Sequence, residues 1–480
     1  MSLVISKTNH DFLYQQVMQL VRELSEQGTL LPGEKLPSLR KMATKLNVSI
    51  PTVKLAYQSL EAQGLVEARE KSGYFLKTAH TQLARPKRVK LNREPVSVNM
   101  QVLIEQVYDA IHQADVVPFG IANPVAAAPT DKMLSRTMRR VMSIAGSRAI
   151  NYGAMDGFAP LKKQLIHRYL DFGIGVDSQE LVITNGAQEA LAIALKCVTK
   201  VGDVVAIESP CYFGIIELIE SLGLKALEIQ LCPDDGIWLD DLSQALHDHD
   251  IKACVFSTSI NNPVGSFMPD HKRKQLVELL ESQDVVLIED DVYGDLHFTP
   301  QRGTPAQAYS TKGLVLTCAS FSKTAAPSYR VGWLIAGKFA AKARRYKRAL
   351  SCSTSLINQW TLYEFIVSGD YDRNIKLLRQ RLRSNKERMI WCLHQAFPST
   401  ARISDPQGGC VIWIDLGAAY DSVKLFQLAL ESGISITPGY IFSATNKYRS
   451  CIRLSYGLPW GEKIEQAIIK LGELVHLAKK

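Results

Sequence analysis

The sequence predicts a multidomain chain: a small N-terminal α+β winged helix-turn-helix, a basic linker, and a large C-terminal α/β domain ending in a smaller α+β subdomain. Three observations predict it. Residues 11–77 hold three short apolar-periodic helices followed by two short strands. Residues 79 to about 98, AHTQLARPKRVKLNREPVSV, are charged and nearly free of large apolar side chains. From about residue 115, helical stretches alternate with apolar strand runs. At 480 residues the chain exceeds the usual ~100–200 per domain, so more than one folded unit is expected.

In DFLYQQVMQLVRELSEQ, residues 11–27, the side chains Leu13, Val17, Leu20, Val21 and Leu24 share one helical stripe, and Gly28 stands where that helix would end. Prolines in LPGEKLPSLRKMATKL break the chain before Ser38 caps a second helix, whose Leu39, Met42, Ala43 and Leu46 fall at i, i+3, i+4 and i+7. Ser49 caps a third, IPTVKLAYQSLEAQ. Pro51 is tolerated there only in the first turn, Val53, Ala56 and Leu60 face inward, and Gly64 stops the helix. LVEARE and YFLKT read as two strands joined by KSG, the wing.

A reader of this shape lays the polar start of its third helix in the DNA major groove while neighbouring groups grip phosphate. The candidates are Ser49, Thr52 and Lys54 on the third helix, Arg40 and Lys41 on the second, and Arg69, Lys71 and Ser72 on the wing. Charge agrees: residues 1–77 hold 10 Lys+Arg against 7 Asp+Glu and residues 78–98 hold 5 against 1, so most of the +9 lies in the first fifth. A polyanion partner fits this asymmetry, as would a solvated basic linker.

The N-terminus lacks a basic head followed by an apolar run, and no segment approaches the ~20 uninterrupted apolar residues of a membrane helix, so a soluble cytoplasmic protein with no membrane partner is expected. Nine cysteines are scattered without a CxxC pair and read as reduced core residues; no metal site is expected.

In the C-terminal domain DVVAIESP, ACVFSTS, VVLIEDD, LVLTCASFS and GWLIAG read as strands of a largely parallel sheet covered on both faces. After about residue 345 a long basic amphipathic helix leads to GCVIWIDL, SITPG and CIRLSYG, the smaller subdomain. The boundaries drawn are 1–78 for the reader, 79–114 for the linker and 115–480 for the rest, with its large part over about 130–345 and its small part over about 346–480.

ASFSKTAAPSYRVGW carries Lys323 between Ser320, Ser322 and Arg330. A lysine that forms a Schiff base needs an anionic cofactor held tightly and a partner that tunes its ring; pyridoxal phosphate supplies the carbonyl and the phosphate. Alone, a lysine in a serine-rich turn is a surface residue, so its company decides. TNGAQEAL sets glycine and small residues at a strand-to-helix turn, where free N–H groups suit phosphate. ESPCYFG offers Tyr212 to stack on a flat ring, and INNPVG offers Asn262 beside a turn. IEDDVYGDL follows an apolar strand with Asp290 and Tyr293, a carboxylate able to hold a pyridine nitrogen protonated.

In this order the pieces resemble the fold-type I, class I/II aminotransferases that use pyridoxal 5′-phosphate, from about Phe119 to the C-terminus. The resemblance implies that Lys323 bonds the cofactor aldehyde, Asp290 pairs with the pyridine nitrogen, and Asn262 and Tyr293 bond the ring hydroxyl. It implies that Tyr212 stacks on the ring and that Gly186, Ala187, Gln188, Ser320, Ser322 and Arg330 serve the phosphate. CIRLSYG supplies Arg453 for a substrate or effector carboxylate. Tyr152 in INYGAMDGFAPLKKQL would reach the other subunit's cofactor, implying a homodimer, domain-swapped or not. FGIANPV departs from the family pattern by placing Ala122 where glycine is usual, at the entrance near the carboxylate.

The N-terminal motifs LYQQV, LPGEKLPSLRKMA, TVKLAYQSLEAQGLV and KSGYFL resemble the GntR regulators, although Ile50 and Pro51 replace the basic residue many members carry. The fusion of both resembles the MocR subfamily. It implies a transcription regulator that binds double-stranded operator DNA and senses pyridoxal phosphate or an amino compound. The alternatives kept open are an active aminotransferase with an accessory DNA-binding domain and a cofactor-storage dimer.

Overall fold

Ser38 and Ser49 each accept a hydrogen bond from the backbone N–H three residues on, Lys41 N at 3.3 Å and Thr52 N at 3.2 Å, and these two caps set where two helices of the reader begin. The computed structural model describes residues 12–26, 28–69, 72–77, 85, 86, 94–96, 104, 105, 107, 109 and 115–480. The reader comprises α1 (Leu13–Glu26), α2 (Leu39–Leu46), α3 (Ile50–Ala62) and the hairpin β1 (Val66–Arg69) with β2 (Gly73–Leu76), paired antiparallel. Its core is its own: Val17, Val21, Leu36, Val53, Tyr57, Leu60 and Leu76 are buried together. Lys71 of the wing, and most of the expected linker, lie outside the described residues.

From Val117 the chain runs β3 (Val117–Pro118), α4 (Asp131–Ala145), α5 (Ala159–Leu170), β4 (Leu181–Thr184), α6 (Ala187–Val198), β5 (Val204–Ser209), α7 (Phe213–Ser221), β6 (Lys225–Cys232), β7 (Gly236–Ile237), α8 (Leu239–Asp248), β8 (Ile251–Phe256), α9 (Asp270–Ser282), β9 (Val286–Asp290), β10 (Val315–Ser320) and β11 (Gly332–Ile335). Eight strands form one sheet in the order β4-β11-β10-β9-β8-β5-β6-β7. The interior pairs β5/β6, β5/β8, β8/β9 and β9/β10 are parallel, and their strands are buried on both faces. β11 runs antiparallel to both neighbours and β7 antiparallel to β6, so the sheet is mixed. The register sets Gly332 beside both Thr184 and Ser320, and Cys318 beside Asp290, so the candidate side chains leave the sheet along one carboxyl edge.

The single long helix expected after residue 345 is divided. α10 (Ala340–Ser351) ends at Cys352, whose φ of 55° leaves the helical region, and α11 (Leu356–Val367) ends before Gly369 at φ 73°. The 27-residue α12 (Asp370–Ala396) follows. Then come β12 (Arg402–Ile403), β13 (Val411–Asp415), α13 (Ser422–Glu431), β14 (Ile434–Ser435), β15 (Thr437–Pro438), β16 (Cys451–Ser455) and α14 (Glu462–Leu477). β12, β13, β16 and β15 make a four-stranded sheet, while β14 pairs with β3 and returns the start of the domain to its end. All nine cysteines are free; Cys352 is exposed and Cys232 half-buried, against the expectation that all pack in the core. No helix among the described residues is long and apolar enough to cross a membrane.

Candidate functional site

Gly186 follows β4 at φ 82° and opens α6 with no side-chain cap, so the first N–H groups of α6 are left without a side-chain partner at the positive end of its dipole. Arg330 lies against it, itself in a left-handed conformation at φ 51°, with NH1 donating to Ser322 Oγ at 3.3 Å and NH2 to the Asn185 carbonyl at 3.2 Å. A Cβ on Gly186 would collide with the Arg330 guanidinium, and one on Gly332 would stand 2.6 Å from the Gly186 carbonyl carbon. Only glycine at both places lets strand, helix and guanidinium close into one cradle. Two hydroxyls (Ser320, Ser322), a guanidinium and a helix N-terminus form a donor set for a phosphate-sized anion. The Gln188 side chain is engaged elsewhere, its Nε2 donating to the Gly214 carbonyl at 2.6 Å.

A cavity of about 210 Å³ extends from this cradle and is lined by Ala122, Tyr212, Asn262, Asp290, Tyr293, Ser320, Ser322, Lys323, Arg330 and Arg453 among others. At its floor Asp290 accepts the Val292 N–H at 3.2 Å, and burial pushes its carboxyl up to about 7. Lys323 Nζ donates to the Ala122 carbonyl at 2.6 Å, and burial, with Arg453 and Arg330 nearby, holds its amine below the ordinary lysine value. Tyr212 begins α7 above the cavity; a Cβ on Gly214 would press on its ring, so that glycine leaves the ring its place. The Tyr293 ring lies 5.8 Å from Lys323 Nζ.

At the far end β16 carries the buried Arg453. Its NH1 donates to Asn262 Oδ1 at 3.2 Å, and its NH2 to the Gly120 carbonyl at 2.5 Å and Thr437 Oγ1 at 3.0 Å. One network thus fixes both Asn262 and the guanidinium, which stacks over Phe442.

Tyr152 is the expected residue that the fold does not bring here; it is 87% exposed on the surface. Ala122 lines the cavity, and its main-chain carbonyl accepts the hydrogen bond from Lys323 Nζ. Two neighbours were missed in the sequence. Glu208 lies buried one residue before the end of β5, its Oε1 without a hydrogen-bond partner and its carboxyl pushed up to about 8 by burial. Cys410 places its thiol 3.9 Å from the Tyr293 hydroxyl. A carboxylate inside the apolar run VVAIES was a legible signal for the first, because a charge there must pair or neutralise; nothing local marked the second.

On the reader, Arg40, Lys41, Ser49 and Lys54 are exposed, with Arg40 and Lys41 on the rim of a shallow hollow that also takes in Lys45. Thr52 is half-buried and bonds Ser49 at 2.7 Å. Ser72 is half-buried on the wing, whereas Arg69 is engaged with Glu67 and Glu387.

Aminotransferase class I and II matches residues 114–470, and the gntR family of bacterial regulatory proteins matches residues 13–76. The chain is similar to the uncharacterized HTH-type transcriptional regulator YjiR of Escherichia coli (strain K12), 34% identical over 97% of this chain and 99% of that one. It is likewise similar to YdcR of the same organism, also an uncharacterized HTH-type transcriptional regulator, 35% identical over 96% and 98%. Among solved structures, LysN, the α-aminoadipate aminotransferase of Thermus thermophilus complexed with N-(5′-phosphopyridoxyl)-L-leucine, superposes with a TM-score of 0.71 at 25% identity over 78% of this chain and 97% of that one. The two family models match the two ends of this chain, and the relatives named as HTH-type regulators align over nearly all of it. The chain belongs to the GntR-type transcription regulators of the MocR kind, a winged helix-turn-helix fused to a class I and II aminotransferase-like domain.

Proposed function

We propose that this regulator holds pyridoxal phosphate through Lys323 and reads the cofactor, or an amino compound brought to it, as the signal that sets its affinity for operator DNA. The observation that carries the reading is the placement of Lys323 and the Gly186–Arg330 cradle at one cavity, in a chain that also bears a DNA reader. Arg330, Ser320, Ser322 and the first N–H groups of α6 would hold the phosphate, Asp290 the pyridine nitrogen, Asn262 and Tyr293 the ring hydroxyl, and Tyr212 the ring face. When bound, this cofactor supplies a carbonyl that amines condense with and a ring that withdraws electrons.

The chain's own residues set the rest. The Asp290 carboxyl, pushed up to about 7 by burial, would hold a proton at a ring nitrogen. Lys323, its charged form disfavoured by burial, gives up a proton more readily than a surface lysine. Arg453 presents a planar fork that orients an amino compound by its carboxylate. The exposed apolar side chains Met142, Ile144, Ile150 and Tyr152, at the end of α4 and in the turn after it, support a homodimer through this region, in which Tyr152 serves the partner's site and two readers address paired half-sites in the cytoplasm.

Footprinting on the chain's own upstream DNA, at stated salt, with and without pyridoxal phosphate, tests the reading. Protection that changes with the cofactor supports it; no protection in either state rejects it. The Arg453–Asn262 network favours a second reading, an active aminotransferase. Keto-acid formation across a panel of amino acids at ordinary enzyme rates, of order 1–10³ s⁻¹, would favour that reading.

A further inference from the structure

Three ion pairs join the reader to the second half of α12. Arg69 NH2 meets Glu387 Oε1 at 3.0 Å, Arg383 NH2 meets Glu67 Oε2 at 3.0 Å, and Arg388 pairs with Glu34. The fit is close: a Cβ on Gly33 would lie 2.7 Å from Glu387 Oε2 and 3.1 Å from the Ser384 backbone, and Ser384 Oγ donates to the Gly33 carbonyl at 3.4 Å. The side chains of Arg69 and Glu387 are only 15% and 12% exposed, and Arg69 also lies over the Phe75 ring. This is more than a solvated surface pair, whose worth is typically below ~1 kcal/mol.

Meanwhile Arg40, Lys41, Ser49 and Lys54 stand exposed at and near the starts of the reader's second and third helices. One wing cation is therefore withheld while the recognition helix remains available. We propose that α12 is a latch: Glu387 occupies Arg69 in place of a DNA phosphate, so that docking of the reader in cis lowers DNA affinity, and release of the latch returns the wing contact. The proposal rests on the DNA-binding reading above.

Glu387→Gln keeps the side-chain volume and removes the competing charge. With a fluorescein-labelled random-sequence duplex and the full-length protein, its affinity is expected to rise several-fold, and the log–log salt slope to steepen by about 0.9, the signature of one added phosphate contact. Arg388→Gln frees Glu34, so a rise there, despite the loss of a positive charge, supports the latch independently. In an Arg69→Gln background the Glu387→Gln increment is expected to vanish; an increment that persists is a general charge effect and overturns the proposal. If the wild type binds duplex but neither single variant changes affinity or slope, the latch fails and the DNA reading stands. If no form binds duplex at any salt, the DNA reading fails and the latch with it.

Discussion

Asn374 Nδ2 donates to the carbonyl oxygen of Thr324 at 2.9 Å, a buried bond between α12 and the residue that follows Lys323. Nearby, the Tyr371 hydroxyl donates to Asp295 at 3.0 Å, and its ring meets Phe321 edge-on. Thirteen residues on, about 20 Å along the same helix, is Glu387, which holds the wing. One helix thus touches the turn that carries the lysine and the domain that reads DNA.

Asn374→Ala should cut this connection. It leaves a buried carbonyl without its partner, a cost of about 1–3 kcal/mol visible in denaturant unfolding. Pyridoxal phosphate should still bind, judged by its visible absorbance. Its effect on DNA affinity, of the ~5–150-fold size usual for coupled sites, should fall toward none. Coupling equal to that of the wild type would remove α12 from the route.

Glu208 and Asp290 make the cofactor-free protein sensitive to pH in a defined direction. Burial raises the Glu208 carboxyl from 4.5 to about 8 and the Asp290 carboxyl from 3.8 to about 7. The folded state therefore keeps protons that the unfolded chain releases. Their stabilising effect is full below the ordinary carboxylate values and is lost as pH rises toward 7–8. Lys323, depressed by burial, acts with the opposite sign, so the comparison is made within a pair. Glu208→Gln should match the wild type in stability near pH 4 and exceed it at pH 9, by on the order of 1–4 kcal/mol. Parallel pH profiles from chemical denaturation would contradict this.

The reader was the most legible part of the sequence because its signals are local: two serine caps, two glycine stops and a helical stripe fix it without tertiary help. The residues that line the candidate cavity could be picked out for a different reason. Most of them follow strand ends of the large sheet, so each motif keeps its meaning within a few residues of a strand. What stayed hidden depends on distant partners. An apolar run does not state its direction, so β11 was not seen to run backwards. Arg69 read as a free wing cation because Glu387, 318 residues away, has no mark in its own stretch. The break at Cys352 is a backbone conformation that no turn residue announced.

Arg453→Lys should weaken binding of carboxylate-bearing amino compounds by roughly 10–100-fold, since a point charge does not replace two guanidinium bonds. Pyridoxal phosphate absorbance and basal DNA binding should be retained. Spectral titration with amino acids and with their decarboxylated counterparts checks this; equal losses for both would mean the pocket had collapsed instead.

The pair Ile144→Asp and Ile150→Asp places two charges on an exposed apolar face whose Ile150 is 85% exposed. If that face is buried between two copies, sedimentation should show a monomer for the double variant and a dimer for the wild type, with unchanged helix content. A dimer in both would move the interface elsewhere.

Affinity for the cofactor, measured with and without DNA, tests the central claim most directly. Coupling is reciprocal, so pyridoxal phosphate titrated by its visible absorbance should bind with a different Kd when the chain's own upstream duplex is saturating. The factor should equal the one by which the cofactor changes DNA affinity, and the bound chromophore should be lost in Lys323→Ala. The same Kd with and without bound DNA would contradict the account.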